Sequence, residues 1–256
     1  MLILISSLLV ALFFFLRCFK PRVRSSISAQ SPPVESLTGS VHMSSPPQIP
    51  DLNKELNFPP YRSLPEERCL DERYYSRAGP KLHWCFLAEI KNQVPWIRPK
   101  YYNVKDRNEK EYLVSFHLGD PTRDQAIAEM CRDGYTICVM YAERHLFADG
   151  QIGVRVENED TVKTLPCTLK EFFDIRDKLA NDDGVCNLCR DPATLKCARC
   201  KLSYCSKTCQ AKDWKGVHKT ECKAAQQILK WGMFDWDQFD EPRLFNATSP
   251  RIQVIE

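Results

Sequence analysis

Glycine is scarce, nine residues in 256, and no Gly-rich loop follows a strand and precedes a helix as a dinucleotide site requires. Charge of one sign is also lacking. Thirty-six Lys and Arg stand against 33 Asp and Glu, a net +3 that makes no general case for a nucleic-acid partner. No nucleophile, base and orienting acid can be inferred to meet in space, and no cofactor-binding stretch of the methyltransferase kind is recognisable. These absences point away from an enzyme. The apolar run Leu2–Leu16 has no basic stretch ahead of it, as a cleaved signal peptide would have.

Cysteine, by contrast, is abundant and unevenly placed. Of 13 cysteines, seven crowd into one window with a histidine, in the order Cys186, Cys189, Cys197, Cys200, Cys205, Cys209, His218 and Cys222. Two C-x2-C knuckles are followed by a C-x3-C pair and an H-x3-C pair. A two-residue gap lets one tight turn grip a zinc ion, and a three-residue gap sets two ligands one turn apart on a helix face. The eight side chains make two closed four-coordinate sites, so two structural Zn(2+) ions are expected. Lys, Arg, Asp and Gly fill much of the space between ligands, leaving metal binding to supply on the order of 10 kcal/mol of folding free energy per site. Disulfides would leave His218 unexplained, and two four-sulfur iron clusters would want eight cysteines. Spacing alone does not decide which knuckle shares an ion with which pair.

With Tyr204-Cys205-Ser206-Lys207, Cys209-Gln210, Asp213-Trp214 and His218-Lys219 in place, the stretch resembles a MYND-type zinc finger. The resemblance is confined to residues 186–222. It implies an interleaved arrangement, with Cys186, Cys189, Cys205 and Cys209 on one ion and Cys197, Cys200, His218 and Cys222 on the other. It also implies a protein-interaction module that takes short proline-containing peptides in a shallow groove, with Gln210 and Trp214 at the positions that line it. Some proteins with a similar finger are lysine methyltransferases, in which the finger accompanies a much larger catalytic domain; that is the enzymatic alternative.

The rest of the chain falls into stretches of different composition. Residues 1–19 read as a hydrophobic membrane anchor. Leu2–Leu16 as a helix spans roughly 22 Å, short of a hydrocarbon layer of about 30 Å unless Arg17 snorkels and Cys18 and Phe19 extend it. Arg17, Lys20, Arg22 and Arg24 follow the run and place the finger on the cytosolic side of a membrane; nucleus or cytoplasm is the alternative. Residues 20–65 read as a disordered Ser/Pro-rich linker, and 66–180 as a small β-rich domain. The finger and a trailing helix through Trp231 occupy 181–232. An acidic, aromatic tail, 233–256, is expected to fold back so that its acids meet Lys207, Lys212, Lys215 and Lys219.

In the β-rich domain, strands are expected over Leu82–Ile90, Tyr112–Phe116, Tyr135–Ala142, Gly153–Val156 and Thr161–Leu165. Asp124–Cys131 has helical spacing, and Leu169–Leu179 reads as an amphipathic closing helix. The fold class is a small mixed α/β domain with a mainly antiparallel sheet, which an OB-like curled sheet fits, followed by the two-zinc finger. Barrels of that kind often bind single strands, and Trp96, Tyr101 and Tyr102 near Arg98 and Lys100 form the candidate stacking surface. The alternative is that these aromatics pack the sheet. Together these features describe a zinc-dependent adaptor for a protein partner with a short peptide motif, with nucleic-acid binding through the β-rich domain as the alternative.

Overall fold

The computed structural model describes residues 48–94 and 100–245. Two short strands, β1 (Tyr75–Ser76) and β2 (Gly79–Pro80), make a ribbon beside a larger sheet. That sheet is built from β3 (Cys85–Val94), β4 (Lys100–Asp106), β5 (Glu111–Phe116), β6 (Thr136–Met140), β7 (Arg144–Leu146), β8 (Ile152–Val156) and β9 (Val162–Leu165), with α1 (Pro121–Met130) between β5 and β6. Then come α2 (Leu169–Ala180), the ribbon of β10 (Leu195–Lys196) and β11 (Ser203–Tyr204), and α3 (Lys207–Asp213). A π turn, Trp214–His218, joins α3 to α4 (Lys219–Trp231).

The strand order in the large sheet is β7-β8-β5-β4-β3-β6-β9. Neighbours run antiparallel except β5 and β8, which are parallel, so the sheet is mixed. Gly153 makes the parallel pair possible: a Cβ there would lie 2.3 Å from the carbonyl oxygen of Leu113 across the pair, an approach that only glycine permits.

The centre of the sheet is buried on both faces, which is why Cys85–Ala88 of β3 and Ile137–Met140 of β6 are continuous apolar runs rather than alternating ones. Successive side chains still point to opposite sides. Phe86, Ala88 and Ile90 of β3 join Ile137 and Val139 of β6 in an inner core with Trp84, Tyr102, Val104 and Phe116. Cys85, Leu87, Cys138 and Met140 face the other way. There they meet α2, whose Leu169, Phe172 and Ile175 are buried, and α4, whose Ala224, Ala225, Ile228 and Trp231 are buried. Thr168 and Glu171 form a capping box that starts α2 at the correct place to present that stripe. Helix α4 stops at Gly232, where a Cβ would sit 2.6 Å from the carbonyl oxygen of Gln48.

Several expectations need correction. The linker expected over 20–65 is ordered where it is described: Leu52, Phe58, Tyr61 and Leu64 are nearly or fully buried, and Tyr61 stacks on Tyr112 at 3.8 Å. Its residues 20–47 lie outside the described residues. The membrane-anchored, membrane-spanning reading is not sustained. Among the described residues no helix is long and apolar enough to cross a membrane, and 2–19 lie outside them. The acidic tail does fold back, but not onto the lysines of the finger. Asp237 pairs with Lys54, and Asp240 with His83 at 3.2 Å and with Arg243. Trp236 is 8% exposed, its ring 4.4 Å from Phe58 and 5.4 Å from Trp231. Burial of the tail's aromatic residues, not attraction between its acids and the finger, sets its path.

Candidate metal centre

Each C-x2-C knuckle is closed the same way. The residue after the second cysteine, Arg190 or Lys201, has positive φ, 69° and 66°, and its N–H donates to the carbonyl of the first cysteine, at 3.0 and 2.9 Å. The first cysteine donates onward, Cys186 N–H to Asp191 at 2.7 Å and Cys197 N–H to Leu202 at 2.8 Å. Both turns thereby aim peptide N–H groups at the leading sulfur. Burial opposes ionisation of Cys186, but N–H groups of Cys189, Cys205 and Leu188 outweigh it and bring the thiol down to about 6. Cys197 is likewise brought down to about 6 against burial, by His218 and by N–H groups of Cys200 and Arg199. Thiolate is the form that binds metal.

The remaining ligands come from the helical segment. Ser206 caps α3 by accepting from Cys209 N–H at 3.2 Å, which fixes Cys205 and Cys209 around the first turn. The π turn then widens the helix by one residue. It leaves Trp214 37% and Val217 59% exposed while His218 is fully buried, and α4 supplies Cys222 one turn later.

The donors of Cys186, Cys189, Cys205 and Cys209 lie within 4.8 Å of one another, as do those of Cys197, Cys200, His218 and Cys222. The sulfurs of Cys189, Cys205 and Cys209 are 3.4 to 3.8 Å apart. Zn–S bonds of about 2.3 Å put tetrahedral sulfurs about 3.8 Å apart, so these separations are the edges of a coordination tetrahedron. Cys200 Sγ and His218 Nε2, 3.6 Å apart, supply such an edge in the second set. Each set is positioned to hold one structural zinc, and the pairing is the interleaved one. The first set is partly exposed; the second is buried throughout.

Polar groups behind the ligands tie the site together. Asp213 Oδ2 accepts from Tyr204 OH at 2.7 Å and from Asn187 Nδ2 at 2.9 Å, joining the first knuckle, β11 and α3. Burial and the carboxylate of Asp213 together hold the Tyr204 hydroxyl in its protonated form. A ring nitrogen of His218 and carboxylate oxygens of Asp213 and Glu221 lie within 4.8 Å of one another. His218 Nδ1 and Glu221 Oε2 are both buried without a hydrogen-bond partner, while Glu221 Oε1 accepts from Lys178 Nζ of α2 at 2.8 Å. Sequence reasoning missed Asp213 and Glu221 in these roles, since neither stands at a ligand spacing.

The family model described as the MYND finger matches residues 186–222. These residues are a MYND finger. With four donors per ion, neither centre has a position for water or substrate, and the finger is a binding module rather than a catalytic one. A ubiquitin carboxyl-terminal hydrolase 19 of Arabidopsis thaliana is 47% identical over 49 residues, which is 19% of this chain and 7% of that protein. The chain thus spans a small part of that relative, and the match carries over none of its activity. Among solved structures, a Replication Protein A heterotrimer bound to ssDNA is similar over 34% of this chain and 60% of that one, at 11% identity and a TM-score of 0.24. The S. pombe Stn1-ten1 complex is similar over 44% and 82%, at 13% identity and 0.29. Schizosaccharomyces pombe Pot1pC bound to ssDNA is similar over 41% and 98%, at 9% identity and 0.28. Likeness at these scores carries no conclusion about fold or ligand.

Outside the MYND finger, the candidate stacking surface is only partly assembled. Trp96 and Arg98 lie outside the described residues. Tyr102 is 1% exposed, with its ring edge-on to Phe116 in the inner core, because β4 turns Tyr102, Val104 and Asp106 inward. Tyr101 faces outward beside His117 and Phe147, at 6.5 and 5.9 Å.

Proposed function

We propose that this protein is a zinc-dependent adaptor whose MYND finger receives a short, proline-containing peptide of a protein partner against Gln210 and Trp214. The observation that carries this is the placing of Trp214. It is 37% exposed at the start of the π turn, with its ring edge-on to the ligand His218 at 5.7 Å, and Gln210 lies one helical turn before it. A rigid, half-exposed aromatic beside a metal-fixed ring is the kind of surface on which a proline stacks at low entropic cost. Calorimetric titration of the zinc-loaded chain with a panel of proline-containing peptides tests it. Trp214→Ala should weaken the best binder by about tenfold or more with the zinc content unchanged. Equal affinity in that variant would sink the assignment.

We also infer that the mixed sheet is curled in an OB-like manner. Strands β6 and β7 are separated by only residues 141–143 yet stand five places apart in the strand order. Three residues bridge at most about 14 Å, whereas five strand spacings in a flat sheet amount to about 24 Å. A second reading, a nucleic-acid contact through this module, is favoured by one feature: the Tyr101, His117 and Phe147 rings gathered in one cluster. It requires salt-sensitive binding of a single-stranded oligonucleotide that Tyr101→Ala abolishes.

A further inference from the structure

Lys163 on β9 and Lys230 on α4 line the same two cavities at the seam between sheet and finger helix. The larger, about 510 Å³, is also lined by Arg132, Lys223 and Tyr135, with Glu129 as its only acid. The smaller, about 260 Å³, continues past Lys163 and Lys230 toward Trp231 and Arg243. Among the described residues none of Arg132, Lys163, Lys223 and Lys230 forms an ion pair. Lys163 is only partly exposed and has the ring of Phe245 at 5.8 Å as its sole described cation partner. Burial, and after it the charge of Lys230, hold its ammonium below the ordinary lysine range. A desolvated ammonium facing a second one, without a counter-ion, is unfavourable by itself. Here Lys163 on β9 is that ammonium, and Lys230 on α4, itself exposed, is the second.

We propose that this seam is a docking groove for an acidic peptide segment of a protein partner, whose carboxylates pair with Lys163 and Lys230. Charge complementarity selects an anion, since four cations meet one acid in the larger chamber and the acid of the smaller one, Glu241, is already paired with Arg243. The shape selects a peptide over a nucleic-acid strand: Tyr135 is the single aromatic of the larger chamber and is only partly exposed, and of the three in the smaller one Trp231 is buried while the Phe234 and Phe245 rings are already faced by Arg243 and Lys163, so no open series of planes is left on which bases stack. The groove shares no residue with the Gln210–Trp214 surface, so it stands or falls separately from the adaptor reading of the finger.

The test is fluorescence anisotropy of a labelled decapeptide of Asp, Glu and Gly titrated with the zinc-loaded full chain. Saturable binding is expected, weakened about tenfold in the double variant Lys163→Gln/Lys230→Gln and unaffected by Trp214→Ala. Because the double variant removes the repulsion of Lys230 on the partly desolvated Lys163, its thermal midpoint should equal or exceed that of the parent. A lower midpoint would mean that the two lysines serve the fold, and would overturn the proposal. So would an absence of saturable binding, binding that the double variant leaves intact, or loss of the peptide on Trp214→Ala. Displacement of the peptide by an oligothymidylate that itself depends on both lysines would overturn it in favour of nucleic acid.

Discussion

The inner core of the sheet and the finger are held by opposite means. Trp84, Phe86, Phe116 and Ile137 are fully buried against one another, and each such side chain contributes roughly 1.5–3 kcal/mol through removal from water. Between Cys186 and His218 the apolar side chains buried with the ligands are few, Leu202 and Tyr204 among them, while Leu188 and Leu195 stay more than a third exposed. One region is stable because of what it hides, the other because of what it coordinates. Helix α4 connects them. It carries the ligand Cys222 in its first turn and Ile228 and Trp231 two turns later, where they belong to the core beneath the sheet. Metal occupancy at one end of that rod therefore bears on packing at the other.

The largest effect expected is from metal removal. Stripping both zinc ions withdraws on the order of 10 kcal/mol per site. Hydrogen exchange should then show 186–222 unprotected, α4 weakened, and β3, β4 and β5 still protected. Simultaneous loss of all protection would show that the inner core cannot stand without the finger. Trp231→Ala comes next, at about 3–5 kcal/mol, because its ring contacts Phe58, Phe172 and Trp236 from three segments. Trp84→Ala removes a ring of the same size from the inner core. If the two regions differ as described, chelator-driven zinc release accelerates in Trp231→Ala and not in Trp84→Ala.

What was legible in the sequence follows the same division. Ligand spacing is a local rule, so the eight zinc ligands could be read directly, and their pairing followed from the resemblance once Tyr204, Asp213 and Trp214 were considered. Strands β3 and β6 were legible because both of their faces are buried. Strand β4 was not: Tyr102 and Val104 alternate with Asn103 and Lys105, and beside a charged turn the stretch resembles a loop. The parallel pairing of β5 with β8 joins residues some forty apart, which no local pattern encodes. Leu52 and Phe58 were hidden among prolines and polar residues. Acids masked Trp236 in the same way, although burial of its ring outweighs their surface charge.

A smaller effect separates the two zinc centres from each other. Glu221 has a carboxylate oxygen within 4.8 Å of a ring nitrogen of His218 and is anchored by Lys178 on α2, whereas the first set consists of cysteines alone. Outer carboxylates that orient a ligating histidine are worth about 10–100-fold in metal affinity. Glu221→Gln should accordingly speed loss of one ion in a chelator competition and leave the other unchanged, giving two phases where the parent releases zinc more uniformly. Equal acceleration of both ions would place the effect in the fold of α4 instead.

The smallest effect expected is a pH dependence located where the tail meets the sheet. The His83 side chain is fully buried, with Nδ1 2.7 Å from Tyr141 OH and Nε2 3.2 Å from Asp240, and with Phe234 and Phe239 rings at 5.2 Å. Burial holds its imidazole below the ordinary histidine range; the hydrogen bond and charge of Asp240 oppose this, Arg243 reinforces it and Asp235 opposes it. The unfolded chain, with a histidine pKa of about 6.5, therefore takes up a proton before the folded one does. The stability associated with the neutral ring is complete above about pH 6.5 and declines as the pH falls toward the folded-state value. Denaturation midpoints of the parent and of His83→Gln, compared across that window while both retain zinc, should converge as the pH drops, because only the parent loses this contribution. Parallel curves would mean that Asp240 offsets burial completely, and that the tail is held on the sheet by an ion pair rather than by a neutral ring among aromatics.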